Sequence, residues 1–129
     1  MRVSRMKPRP LSLLALSRYE EWTVIKRNRF GRKQERILGV DATKIYNRKP
    51  DRGRRYQIGV YRAERWIRDV QSIEFVAQQD ATFRIVYVDN DQGELVRLEY
   101  MAASAEDCAH IVSKVRYLRD RLGISDRHL

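Results

Sequence analysis

The chain has 129 residues, 43% of them apolar and 34% charged: enough to build one core of ordinary density, and too short for several domains. Its net charge of +10 is unevenly carried, with 20 Lys/Arg against 6 Asp/Glu from Met1 to Arg68 and 7 against 11 from Asp69 to Leu129. Like charge crowded into one half opposes folding and suits a polyanionic partner, while the lone Cys108 excludes an intrachain disulfide or a thiolate metal cage, and no stretch approaches the ~20 apolar residues of a membrane span.

The first 17 residues are basic and free of Asp and Glu. Their apolar run, Leu11 to Leu16, is shorter than the core of about 7 to 15 residues that a secretory signal needs, and Pro8 and Pro10 interrupt the amphipathic helix of a mitochondrial presequence. A flexible basic arm over residues 1–17 is expected. Beyond it, Glu21 to Lys26 alternates as a strand, Phe30-Gly31-Arg32 reads as a turn, and Glu35 to Asp41 returns as the second strand. Lys44 to Arg48 is a third strand, and the Pro- and Gly-containing segment from Lys49 to Arg55 is an exposed basic loop.

Tyr56 to Ile67 reads as one or two strands, because Tyr56, Ile58 and Val60 alternate before Trp66 and Ile67 close the run. Val70 to Ala77, Thr82 to Val88 and Glu94 to Met101 follow as strands, the last two joined by the polar loop Asp89 to Gly93. About seven antiparallel strands result. The C-terminal segment then changes period: Ser104 with Asp107 resembles a capping box, Cys108, Ile111, Val112, Val115, Leu118 and Leu122 recur on one helical face, and Gly123 stops the helix. Lys114, Arg116, Arg119 and Arg121 lie toward the other end of the helix. The fold class is mostly β with one C-terminal α-helix, a seven-stranded curled sheet or partly open barrel capped by the helix, over residues 18–123, with a tail at 124–129.

Six cations, Lys26, Arg27, Arg29, Arg32, Lys33 and Arg36, fall within eleven residues of a strand-turn-strand. Phosphomonoesters need convergent donors, and the planar guanidinium fork matches their oxygens. Alternation puts Arg27 and Arg29 on one face, which makes them the first choices for contact. Lys49, Arg52, Arg54, Arg55 and Arg62 form a secondary basic surface that widens the field. Trp66, flanked by Arg65 and Arg68, is read as core or rim packing, and Cys108 as buried packing. His110 and His128 have no metal-ligand spacing, and neither a phosphate loop nor a nucleophile-base pair is found, so no enzyme activity, metal or cofactor is expected.

The strand count, late helix and basic first hairpin resemble a pleckstrin-homology domain. Within that superfamily the chain is similar to the domain of the stress-activated-kinase-interacting (Sin) subunit of TOR complex 2. The residues carrying the likeness are Thr23 to Phe30, Leu38-Gly39-Val40 before Lys44-Ile45, Ala81 to Tyr87, Leu98 to Tyr100 and Ile111 to Tyr117, covering about Tyr19 to Arg121. Two departures are visible. The last helix lacks the Trp of many such domains, since Trp22 and Trp66 lie elsewhere, and Arg27-x-Arg29 follows Lys26 immediately instead of at a distance. The resemblance implies a non-catalytic adaptor that binds phosphoinositides and anionic membrane, cytoplasmic and peripheral at the plasma membrane or endomembranes. It also implies TOR kinase complex subunits as partners, with the kinase recruited or restrained until lipid engages. A protein-protein docking module without a specific lipid ligand is the competing function, and no specific nucleic acid partner is expected.

Overall fold

Alternating apolar and polar residues pair into a single sheet here because each strand has one face to bury and one to leave in water. The computed structural model describes residues 16–28, 30–50, 61–89 and 91–123, without the side chains of Tyr61 and Arg62. The strands are β1 (Glu20–Arg27), β2 (Lys33–Val40), β3 (Lys44–Arg48), β4 (Tyr61–Trp66), β5 (Val70–Phe75), β6 (Thr82–Asp89) and β7 (Glu94–Ala102), followed by helix α1 (Ala105–Arg121). One turn of 3-10 helix at Ile67–Asp69 links β4 to β5. Only the later part of the expected Tyr56 to Ile67 run is described, as β4; the loop arginines Arg52, Arg54 and Arg55 lie outside the described residues.

The sheet order is β4-β3-β2-β1-β7-β6-β5, antiparallel throughout, so β1 and β7 join the two halves and β4 and β5 are its edges. The sheet is not closed. Its inner face carries Val24, Leu38, Val40, Ile45, Ile73, Phe83, Ile85, Tyr87 and Tyr100, packed against Cys108, Ile111, Val112, Val115 and Leu118 of α1. Phe83 and Tyr100 stack with ring centroids 5.5 Å apart. Near the start of β1, the Tyr19 ring lies over Gly39, where a Cβ would collide with it, which explains a glycine inside β2.

Ser104 caps α1, its hydroxyl accepting from the Asp107 amide at 3.0 Å, with Glu106 and Asp107 in the first turn of the helix. One apolar assignment is corrected: Leu122, placed on the buried face by its spacing, lies past the end of α1. Lys114 is 0% exposed and Arg119 is also buried, whereas Leu122 is 46% exposed beyond the last turn. Both buried cations are tied down: Lys114 Nζ donates to the Arg18 carbonyl at 2.6 Å and to Glu20 Oε1 at 2.7 Å, and Arg119 donates to the Val70 and Gln71 carbonyls at 2.9 and 3.0 Å. Arg116 adds bonds to the Ile73 carbonyl at 2.9 and 3.2 Å. The helix thus occupies carbonyls along edge strand β5, where another chain would otherwise pair.

Candidate anion-binding site

The antiparallel topology points the ends of β1, β3 and β6 the same way. Lys114 holds Glu20 at the start of β1, so α1 plugs that end, and the β1–β2 turn lies at the other, roughly 23 Å along the strand. That turn is built around Asn28. Its Oδ1 accepts from the amides of Phe30 and Arg32, both at 2.9 Å, its carbonyl accepts from Gly31 N at 2.9 Å, and its own amide donates to Arg32 O at 3.0 Å. Gly31, at φ +82, supplies the left-handed position that closes the turn.

Directly opposed residues in antiparallel strands share a face, which sorts the hairpin cations. Arg36 faces Val24, a core residue, and Lys26 faces Gln34 and Tyr100. These two therefore point inward. Arg27 pairs with Lys33 and Glu99, and this set projects from the outer face, where Glu99 meets Arg27 at 3.7 Å and Arg84 at 3.3 Å. The cleft beside them, between Ile25, Arg27, Lys33 and Glu99, has about 10 Å³, room for about one water and none for an inositol ring. Arg32 is exposed in the turn, and Arg29 lies outside the described residues. The hairpin cations thus divide between two faces, and Arg27, a first choice from alternation, is on the outer one beside a carboxylate.

A third inward cation comes from β4. Arg65 lies opposite the buried Ile45 and stacks its guanidinium over the Tyr87 ring at 4.8 Å. Lys26, Arg36 and Arg65 together make the inner mouth positive: the Lys26 ammonium is held below its usual pKa by burial, and further by the charges of Arg36 and Arg65. Among the described residues, none of the three has a salt-bridged carboxylate. Arg36 donates instead to the Glu35 carbonyl at 2.8 Å.

Beneath them the floor is polar. Asn47 is buried, its Nδ2 donating to the Tyr100 hydroxyl at 2.8 Å, while among the described residues its Oδ1 has no partner. Burial raises the Tyr100 phenol well above the usual range; Arg65, the Asn47 hydrogen bond and Arg36 pull the other way, placing both guanidiniums within electrostatic reach of this hydroxyl. Arg65, Asn47 and Tyr100 are not among the candidate binding residues chosen from the sequence, where Arg65 stands only as a neighbour of Trp66.

The secondary surface is only partly described. Lys49 is exposed, Arg52, Arg54 and Arg55 lie outside the described residues, as does the Arg62 side chain, and neighbouring Arg48 is engaged by Glu21 at 3.1 Å. Trp66 is 41% exposed, with the Lys44 ammonium at 4.7 Å and the Arg68 guanidinium at 4.8 Å over its ring, so it packs on the outer surface against cationic heads rather than in the core. The groove beside it, about 320 Å³, is lined by Glu64, Asp69, Asp89 and Asp91 as well as Arg65 and Arg68, a balance that disfavours an anion there. Among the described residues no cluster of potential metal ligands is present, and no helix is long and apolar enough to cross a membrane.

A bent seven-stranded antiparallel sheet, plugged at one end by a C-terminal helix and cationic at the other, defines a pleckstrin-homology domain. Solved structures agree on the fold. The pleckstrin-homology domain of human oxysterol-binding protein-related protein 11 superposes with a TM-score of 0.63 at 14% identity, covering 80% of this chain and 81% of that one. The Slm1 pleckstrin-homology domain in complex with inositol 4-phosphate gives 0.65 at 12% identity, covering 80% and 96%. The N-terminal pleckstrin-homology domain of human ARAP2 gives 0.63 at 10% identity, covering 88% and 89%. Among curated proteins none matches the sequence. The model of the family described as SAPK-interacting protein 1 (Sin1), pleckstrin-homology, matches residues 17–121, and the chain belongs to that family.

Proposed function

We propose that the domain binds the phosphorylated headgroup of an inositol lipid in the mouth formed by Lys26, Arg36 and Arg65, and through it brings a TOR kinase complex to the cytoplasmic face of a membrane. The observation that carries this is the convergence of three cations on an inward face, with burial and mutual repulsion depressing the Lys26 pKa. Such an arrangement is unfavourable when empty and becomes favourable when a polyanion supplies the missing counter-charge. A phosphate accepts several charge-assisted hydrogen bonds at once, and two guanidiniums offer planar forks for them. The Asn47–Tyr100 floor adds neutral groups suited to ring hydroxyls.

Two comparisons support the ligand class and the setting: a structural neighbour holds an inositol phosphate, and the family is that of a kinase-interacting protein. Arg32 and Lys33, with the basic loop from Lys49 to Arg55 and Arg62, then strengthen attraction to an anionic surface by roughly 1 kcal/mol for each side chain near it. Vesicle co-sedimentation tests the proposal. Phosphatidylcholine vesicles carrying phosphatidylinositol bisphosphate should bind more tightly than charge-matched vesicles carrying phosphatidylserine, and Arg65→Met should erase that preference. Equal binding to both compositions by the native chain would leave only a basic surface, or a protein-docking module.

A further inference from the structure

We propose that the groove beside Trp66 is an intramolecular docking site for the chain's own basic N-terminal arm, centred on residues 5–11. Among the described residues the groove, about 320 Å³, sets the carboxylates of Glu64, Asp69, Asp89 and Asp91 against the guanidiniums of Arg65 and Arg68, which is four negative charges to two positive in a chain of net +10. Its rim is formed in advance of any occupant. Asp89 Oδ1 accepts from the Asp91 amide at 3.0 Å and the Asp89 carbonyl from the Gly93 amide at 2.6 Å, with Gly93 at φ +71 closing the turn that carries both carboxylates. Glu64 is positioned by Lys44 at 3.1 Å. Trp66 supplies an apolar wall, since 41% of it stays exposed even with two cations over its ring.

A groove with an acidic rim and an aromatic wall fits an extended segment rich in Arg, Lys and Pro. Residues 1–15, outside the described residues, carry Arg2, Arg5, Lys7 and Arg9 and contain no Asp or Glu. Pro8 and Pro10 bias the sequence toward the polyproline form, in which three residues make a turn. In that form Pro8 and Leu11 share one edge, suited to Trp66, while Lys7 and Arg9 stand on the other two, suited to the carboxylates. The arm is long enough. At the start of β1 the Tyr19 ring packs edge-on against Tyr46 at 5.9 Å, and Tyr46 opposes Glu64 of β4. Three strand spacings from β1 to β4 make about 14 Å, the step from Tyr19 back to Leu16 adds at most about 10 Å, and the chain from Leu16 to Pro8 spans up to about 27 Å. Tethering also holds the arm at a roughly millimolar effective concentration, which favours it over a free basic peptide of similar affinity.

The test is paramagnetic NMR on the full chain, with a nitroxide attached at Met6→Cys while the buried Cys108 escapes labelling. The label should broaden the amide signals of Trp66, Val88 and Gly93 and leave that of Ser113, on the exposed side of α1, unchanged. Asp91→Lys, at an exposed position, and the arm variant Arg5→Glu with Arg9→Glu should each cut the broadening about threefold or more. Salt at about 1 M, where the screening length falls to about 3 Å, should abolish it. No broadening at the groove, or equal broadening at Ser113, overturns the proposal, as does broadening that both charge reversals leave intact. Broadening of an isotope-labelled chain by the nitroxide of a second, unlabelled one would put the arm of another copy in the groove and overturn the intramolecular contact. Groove signals that ignore the arm but shift with an added Arg- and Pro-containing peptide would overturn it in favour of a partner segment.

Discussion

Arg36→Met is expected to move stability and ligand affinity in opposite directions. Lys26 and Arg36 are diagonal neighbours across β1 and β2, since Lys26 opposes Gln34 and Arg36 opposes Val24, which places their backbones roughly 7–8 Å apart. Two unit charges at that spacing repel by about 2 kcal/mol at an effective dielectric of about 20, and physiological salt cuts this by roughly half or more. Arg65 adds a second repulsion. Against this stands the Arg36 bond to the Glu35 carbonyl, solvent-exposed and worth about 1 kcal/mol at most, while Met preserves the apolar stem. The empty variant should therefore be as stable as the native domain or up to about 1 kcal/mol more stable, a rise in Tm of about 4 °C. Losing one charge-assisted contact of about 1.5–3 kcal/mol should weaken inositol trisphosphate binding about 10- to 100-fold. Thermal unfolding with and without ligand, together with titration calorimetry, reads both quantities. A variant that is clearly less stable yet binds normally would refute the reasoning, because Arg36 would then be a structural residue.

Other consequences concern the frame that holds this mouth. Asp41 accepts from the Thr43 and Lys44 amides at 2.9 and 2.8 Å and from the Tyr46 hydroxyl at 2.6 Å; burial pushes its pKa up, but these bonds and the Lys44 charge outweigh it and hold the carboxyl below its ordinary value. A depressed folded pKa gives stability that is present above the unfolded value and lost as pH falls through the folded one. Asp41→Asn should cost about 1–2 kcal/mol near neutral pH, with the gap in Tm closing below about pH 4; a gap independent of pH would remove the carboxylate from the explanation. Lys114→Met should cost about 1–3 kcal/mol in urea unfolding, because it leaves the Arg18 carbonyl and the Glu20 carboxylate without their shared donor. Unchanged stability would mean that the ion pair at this partly exposed Glu20 contributes nothing.

Much of the fold is legible in the sequence, because the strands alternate and the helix is marked by Ser104 and Gly123. Parity was also available at the site. Trp22, Val24 and Lys26 share one phase, so once Val24 is buried Lys26 must point inward and Arg27 outward; weighing the density of cations alone hides this. Arg65 is less legible, since its direction depends on the phase of β4, and the run from Tyr56 to Ile67 fits more than one division. Lys114 and Arg119 lie at helical spacing among Ile111, Val115 and Leu118, yet a sequence gives no reason to bury them. Their partners, Arg18, Glu20, Val70 and Gln71, are set by tertiary packing across 48 to 96 residues of chain.

The most direct measurement is a side-chain NMR titration of the full chain with soluble inositol trisphosphate. The Lys26, Arg36 and Arg65 resonances should shift together with a single dissociation constant, while those of Arg27 and Lys33 on the opposite face stay near their starting positions. Shifts centred on Arg27 and Lys33, with the inward three unmoved, would contradict an inner binding mouth.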